Sequence, residues 1–431
     1  MSLPAARLVA LALLLAACGD DPASAPALAT LEATLATTTP TGTLEVRVLA
    51  RDAAGAPMSG VAVTAAIAAG GGAVRDAALT TDAAGLATTV WTLGVAPVPQ
   101  RVTLRAGDAE TTATAPRADG ERPEPTPTAF AGVDAWLTAE GREGSTEGLA
   151  FVGDTLYLGV PGGLAIVDPD GAVRAAPLSG APLVGPLGLA AEPDGALWVC
   201  DGDAAALVHV SAAGVATTVA TADGPDDLVT PNSVAIGPDG LVYFTDSCLG
   251  RLMQLDPATG AITARLDFDR ATVGGPNGLA FDDAGDLWLT TENTGLLCGF
   301  NDVGLTDPIA GLYRVPVARG QLGPAVPVAE RVGLFGDGLA FDAEGHLFAL
   351  FDTADGLALD ESIVYVLPKG GDTLERFFGV QGQVLANLAF APDAYGAGTL
   401  YFALLTVPPF TPPEARGLVR LSVGLEGRPL P

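Results

Sequence analysis

The sequence predicts an all-β protein, a six-bladed β-propeller preceded by an N-terminal β-sandwich. Two observations predict it. The first is the stretch PNGLAFDDAGDLWLTT, residues 276–291, which reads as a tight hairpin. NGLAF and DLWLT place apolar residues at alternate positions, and DDAG supplies turn chemistry ending in a Gly that can take positive φ. The phrase returns as EGLAFVGDTLYLG from Glu147, LGLAAEPDGALWVCD from Leu187, NSVAIGPDGLVYFTD from Asn232, DGLAFDAEGHLFALF from Asp337 and, more loosely, NLAFAPDAYGAGTLYFALL from Asn387. Starts at 147, 187, 232, 277, 337 and 387 are 40, 45, 45, 60 and 50 residues apart, the length of one four-stranded blade. The second observation is a set of about seven short strand-like runs between Thr43 and Thr114, each bounded by Gly, Asp or Pro, the pattern of a sandwich.

In chain order, residues 1–18 are a targeting segment. Arg7 precedes the apolar run LVALALLLAA, which is too short to span a bilayer. It ends in Leu15-Ala16-Ala17-Cys18, which resembles the bacterial lipobox; the resemblance implies cleavage before Cys18, lipidation of that residue and export to the outer membrane or cell surface. Residues 19–31 form an Ala-, Pro- and Ser-rich tether. The sandwich occupies 32–116, a Pro-rich polar linker 117–128 and the propeller 129–431. Within the sandwich, VRVLARDAAGAPMSGVAVTAAI, TTDAAGLATTVWTLG and VTLRAG resemble group 1 bacterial immunoglobulin-like domains, which implies a spacer or adhesion module without chemistry of its own and makes Trp91 a core residue. Phe130 to Thr138 is positioned to supply a strand that closes the ring against GLVRLSV near the C-terminus, because closure removes exposed sheet edges.

The chain has 431 residues, 49% of them hydrophobic, with 50 acidic against 21 basic residues and a formal charge of -29. Nucleic acid is excluded as a partner on that balance. In an exported protein the cysteines beyond Cys18 are expected to form one disulfide and leave one thiol. Cys248 and Cys298 follow the second strands of neighbouring repeats, so they fall on one face and are expected to pair, with Cys200 buried and free.

The chemistry concentrates at one repeat position, the residue before Gly-Leu, which the innermost strand of each blade presents to the central channel. It is Glu147, Leu187, Asn232, Asn277, Asp337 and Ala386 in the six repeats. Converging carboxylates in a channel need a counter-charge, and Asn carbonyls add neutral oxygens, so Glu147, Asn232, Asn277 and Asp337 read as ligands of a hard divalent cation, Ca2+ above all. The alternative is that these residues cap strand ends. The Asp-rich turns DPDG, EPDG, GPDG and DDAG lie on the opposite face and are assigned no metal.

EGLAF, TPNSVAIGPDGLVYFTDS, GPNGLAFDDAGDLWLTT and GDGLAFDAEGHLFAL resemble the regucalcin and gluconolactonase family over residues 135–425, and more distantly the diisopropylfluorophosphatase and paraoxonase propellers. The resemblance implies Glu147, Asn277 and Asp337 as metal ligands, Asn232 as a fourth ligand or substrate contact, and Asp337 as the catalytic base. Ser233 follows Asn232 where the family usually has Asp, and Thr230 stands where sugar-lactone members carry Arg, so an aldonolactone is not implied. His209 and His346 lie away from the channel position and read as structural. The expected function is a calcium-dependent hydrolase of a lactone or related ester, its pocket shaped by loops at 292–310, 352–361 and 407–415. The alternative is a non-catalytic surface propeller that binds an envelope protein or glycan, with a strictosidine-synthase-like role, carried by Pro186-Leu187-Gly188-Leu189, ranked behind both.

Overall fold

The computed structural model describes residues 27–37, 42–115, 124–298, 308–355, 358–405 and 416–428. Two compact units result, Met1–Gly94 with Pro99–Ala118, and Val95–Val98 with Asp119–Pro431.

The first unit contains β1 (Leu28–Thr37), β2 (Thr43–Asp52), β3 (Ala62–Ala69), β4 (Gly72–Val74), β5 (Ala78–Thr80), β6 (Leu86–Leu93), β7 (Gln100–Ala106) and β8 (Ala109–Ala115). They form two four-stranded sheets, β1-β2-β6-β4 and β5-β3-β7-β8. Alternation selects the core: Val46, Val48 and Ala50 of β2 turn inward to meet Trp91, Val102 and Leu104, while Glu45 and Arg47 between them pair on the outer face. Trp91 is fully buried in that core. The sandwich begins earlier than the sequence pattern indicates. Leu28, Leu31 and Leu35 lack the period of two that marks a strand, and it is pairing with β2, Leu31 opposite Ala50, that makes this part of the tether the strand β1.

The second unit is the propeller. Its innermost strands are Leu149–Val152, Pro186–Ala191, Pro231–Ile236, Gly275–Phe281, Phe335–Phe341 and Val384–Phe390. The second strands are Thr155–Val160, Leu197–Asp201, Val242–Asp246, Leu287–Glu292, Leu347–Asp355 and Thr399–Leu405. Every hairpin between them has the register that the repeat implies, with Leu149 opposite Leu158, Leu279 opposite Leu289 and Leu339 opposite Ala349. The turn aspartates are occupied locally: Asp282 Oδ1 accepts the N–H groups of Ala284 and Asp286 at 2.9 and 3.0 Å, and Oδ2 accepts Trp288 Nε1 at 2.8 Å.

The ring closes through strand β9 (Thr128–Phe130), which completes blade 6 by placing Phe130 opposite Leu418 and Ala129 opposite Val419. The expected closing strand at 130–138 is therefore shorter and earlier. Residues Val133–Ala139 form helix α1 instead, because VDAWLTA buries Val133 and Leu137 four positions apart, a helical spacing. The expected loop at 352–361 is also corrected. It extends the blade 5 hairpin, with Thr353 opposite Glu361 and Asp355 opposite Ala358. Residues 299–307, 407–415 and Cys18 with its lipobox lie outside the described residues.

Cys248 and Cys298 form a disulfide with Cα atoms 5.6 Å apart, joining the end of the blade 3 second hairpin strand to helix α2 (Thr294–Cys298) in blade 4. Cys200 is buried and free. A cross-link spanning 50 residues removes unfolded-state entropy. Its loss in the Cys248→Ser, Cys298→Ser double variant is expected to destabilise the propeller by about 2–4 kcal/mol, measured as a lower urea midpoint with a steeper slope because the uncross-linked unfolded chain is more expanded.

Candidate functional site

Each repeat turns its channel position inward for a reason that lies in the next residue. Gly follows the channel residue in blades 1, 2, 4 and 5 because the innermost strands touch backbone to backbone. A Cβ on Gly148 would lie 2.5 Å from Leu187 O, on Gly188 2.3 Å from Asn232 O, and on Gly278 2.4 Å from Asp337 O. Consecutive channel residues are thereby held side by side around the axis. Glu147, Asn232, Asn277 and Asp337 thus occupy one repeat position on strands held side by side, and Ala386 takes the same place in blade 6, with Asn387 where blades 1, 2, 4 and 5 have Gly.

Side-chain hydrogen bonds clip several blades to their neighbours. Thr245 Oγ1 in blade 3 accepts Ser233 N–H at 3.0 Å and donates to Asn277 O at 2.8 Å. Thr290 Oγ1 in blade 4 accepts Gly278 N–H at 2.9 Å and donates to Asp337 O at 2.6 Å. Thr146, beside Glu147, donates to Leu404 O at 2.7 Å and accepts Gly417 N–H at 3.0 Å. The free thiol of Cys200 occupies the place of Thr245 and Thr290 and donates to Ser233 O at 3.4 Å. Asn387 Nδ2 donates to Leu187 O at 3.2 Å, joining the two blades whose channel residues carry no polar side chain.

The site is buried and acidic. Glu147, Asn232, Asn277 and Asp337 are 7, 5, 2 and 5% exposed. Asn232 Oδ1, Asn277 Oδ1 and Asp337 Oδ1 are buried without a hydrogen-bond partner. Burial pushes the Asp337 carboxyl up to about 7, against a favourable hydrogen bond from Gly338 N–H. Burial raises Glu147 well above the usual carboxylate range, and the charges of Asp337, Glu292 and Asp203 add to it.

Glu292 was not read from the sequence as a site residue. Its carboxyl is raised to about 8, chiefly by burial and also by the charge of Asp337. Its Oε1 is buried and unpartnered, as is Thr294 Oγ1. Asp352 is also buried and raised, chiefly by burial, but its carboxylate accepts Ser362 Oγ. Ser362 Oγ in turn accepts Leu385 N–H at 2.9 Å, which ties Asp352 to blade 6. The only sequence signal for Glu292 is that the acid closing the second strand comes one place later in LWLTTE than in LWVCD or VYFTD.

Among the described residues, none of Glu147, Glu292, Asp337 and Asp352 takes part in an ion pair. Nor do three His, Cys, Asp or Glu side chains there come close enough together to hold a metal by themselves. A cation at this point would therefore draw on the amide oxygens of Asn232 and Asn277, and the buried, unpartnered oxygens fit a hard, oxygen-preferring ion. The two histidines are elsewhere: His209 Nε2 faces Glu192 Oε2 at 3.3 Å and His346 Nδ1 faces Asp342 Oδ2 at 2.8 Å, both at the turn end of their blades.

No family model matches this sequence, and no curated protein matches it. Among solved structures, a gluconolactonase from Xanthomonas campestris is 18% identical with a TM-score of 0.48, covering 73% of this chain and 99% of its own. A luciferin-regenerating enzyme is 13% identical with a TM-score of 0.49, covering 71% and 98%. A protein of unknown function from Bacteroides thetaiotaomicron is 12% identical with a TM-score of 0.49, covering 93% and 98%. Similarity at this level adds nothing to the functional reading, which rests on the site itself.

Proposed function

We propose that this protein is a calcium-dependent hydrolase of a lactone or related ester, exported and anchored through Cys18. The observation that carries the reading is the set of buried, unpartnered oxygens on Asn232, Asn277 and Asp337 beside the buried Glu147. Leaving such atoms unpaired costs about 1–3 kcal/mol each, more when the group is charged, and a bound cation offsets that cost. Glu147, Asn232, Asn277 and Asp337 would hold it. Once bound, a divalent ion polarises a carbonyl oxygen and acidifies water. Asn232 would then orient the ester, and the Asp337 carboxylate, its proton displaced by the cation, would accept a proton from water. Burial of the acids excludes bulk water from the reacting group. Export and anchoring rest on the sequence of residues 1–18 alone.

Calcium titration calorimetry on the full chain tests the reading. Binding near one equivalent is expected, with the affinity lowered at least tenfold in Glu147→Ala, followed by turnover in a screen of lactones and esters. No binding by the folded wild type would leave the four residues as strand caps. Binding without hydrolysis of any lactone or ester would favour the surface propeller with a structural metal.

A further inference from the structure

At the turn end of the propeller the innermost strands surround a cavity of about 670 Å³, reaching the hairpin turns at Gly153, Pro238 and Pro392. Its volume falls within the roughly 300–1,000 Å³ that small-molecule sites occupy. The space has a cause in the repeat: the residue three places after each channel position is Ala in every blade, and Ala150, Ala190, Ala235, Ala280, Ala340 and Ala389 all line it. A methyl group there leaves the axis unfilled. The next position adds Phe151, Phe281, Phe341 and Phe390 to the wall. At about 3.3 Å per residue, three places put this wall on the order of 10 Å along the strands from Glu147, Asn232, Asn277 and Asp337, so the two sites are distinct.

Among the described residues, Asp282 and Arg428 are the only polar or charged side chains in the lining. Asp282 is engaged by Ala284 and Asp286 N–H and by Trp288 Nε1. Arg428 is brought to the mouth by a strap that follows the last strand, Gly417–Ser422. Ala343 N–H donates to Glu426 O at 2.8 Å, Gly427 bridges Asp342, and Arg428 N–H donates to Phe341 O at 3.2 Å, so the strap runs from blade 6 onto the turn of blade 5. A Cβ on Gly427 would lie 2.2 Å from Phe390 Cβ, so this close approach to the cavity wall requires Gly. Arg428 Nη1 then donates to Phe281 O at 2.8 Å and Nη2 pairs with Asp283 Oδ1 at 2.9 Å. Asp283 is shared, because its Oδ2 accepts Lys369 Nζ at 2.7 Å. Two cations on one carboxylate leave a positive charge in excess, and these contacts leave further N–H donors of the guanidinium to a ligand.

We propose that this cavity is a second ligand site, for an amphipathic carboxylate of the fatty-acid type, with the apolar chain among the Ala and Phe side chains and the carboxylate on Arg428 at the mouth. The ligand class follows from charge complementarity: the wall offers apolar contact throughout, and the one cation in it is the side chain whose planar fork matches a carboxylate. The inference is independent of the cation-binding reading.

Calorimetry on the full chain in EDTA, with decanoate below its micellar concentration and with decanol, tests the proposal. Decanoate is expected to bind near one equivalent, and decanol, which has the same chain without the charge, at least tenfold more weakly. Arg428→Gln should weaken decanoate about tenfold or more and leave decanol unchanged, whereas Ala340→Leu, which puts bulk into the cavity, should weaken both. Equal affinities of the wild type for decanoate and decanol, or undiminished decanoate binding by Arg428→Gln, would overturn the carboxylate assignment. Failure of the folded wild type to bind either, or full binding by Ala340→Leu, would overturn the site. Thermal melts establish that the variants fold; for one that does not, the wild-type comparison of decanoate with decanol decides alone.

Discussion

Asp337→Ala is expected to lower calcium affinity on the order of 100-fold and to abolish hydrolysis. The side chain is 5% exposed, with Oδ1 unpartnered and no compensating base among the described residues. Removing one member of a buried charge pair costs about 3–5 kcal/mol, and about 1.4 kcal/mol is tenfold in affinity. The same carboxyl sets a pH dependence. Burial raises it to about 7, so below that value it carries a proton that cation binding must displace. Affinity should therefore rise with pH, roughly tenfold between pH 6 and 8 from this group alone, and flatten above. Glu292, lifted to about 8, adds to the slope in the same direction. Calorimetry at several pH values, repeated in buffers of different ionisation enthalpy to count released protons, measures it. A flat profile, or one that rises towards acid, would contradict the assignment of Asp337 as a ligand.

Gly188→Ala should be strongly destabilising. Its Cβ would lie 2.3 Å from Asn232 O and 2.7 Å from Ser233 Cα, both backbone atoms of the adjacent blade that cannot swing aside. Blades 2 and 3 must then separate, which costs about 3 kcal/mol and displaces Asn232 from the site. Gly240→Ala is the control. It sits at φ +77 in a hairpin turn with nothing within 4 Å of an added Cβ, so its cost is confined to the left-handed conformation, about 1 kcal/mol. Urea midpoints for the two variants should be well separated. Equal midpoints would mean that the ring tolerates looser contact between blades than this geometry indicates.

Local patterning made much of the propeller legible. Alternating apolar residues around an Asp- and Gly-bearing turn specify a hairpin without reference to the rest of the chain, and six copies of it specify the blades. Because the repeat is regular, the residue before Gly-Leu could be placed at the channel, and Glu147, Asn232, Asn277 and Asp337 are all buried at that position. The Cys248–Cys298 pair was legible on the same basis, since both residues follow equivalent strands in adjacent blades. Regularity also explains what was missed. Glu292 closes its strand one place later than the acids of blades 2 and 3, and only the folded structure shows that its carboxyl is buried with an unpartnered oxygen. β1 and the short closing strand Thr128–Phe130 carry no alternation of their own; each is a strand because a distant segment, β2 or Gly417–Ser422, offers an unpaired edge.

The sequence by itself thus determined the repeating unit, the number of blades and the residue types offered to the channel, because hairpin formation and side-chain alternation depend on neighbours a few residues apart. The tertiary structure decided which of those oxygens lack partners, how the Thr hydroxyls clip one blade to the next, and that Glu292 is buried with an unpartnered oxygen. Those outcomes depend on contacts between strands tens of residues apart, where one place of register reverses the direction of a side chain.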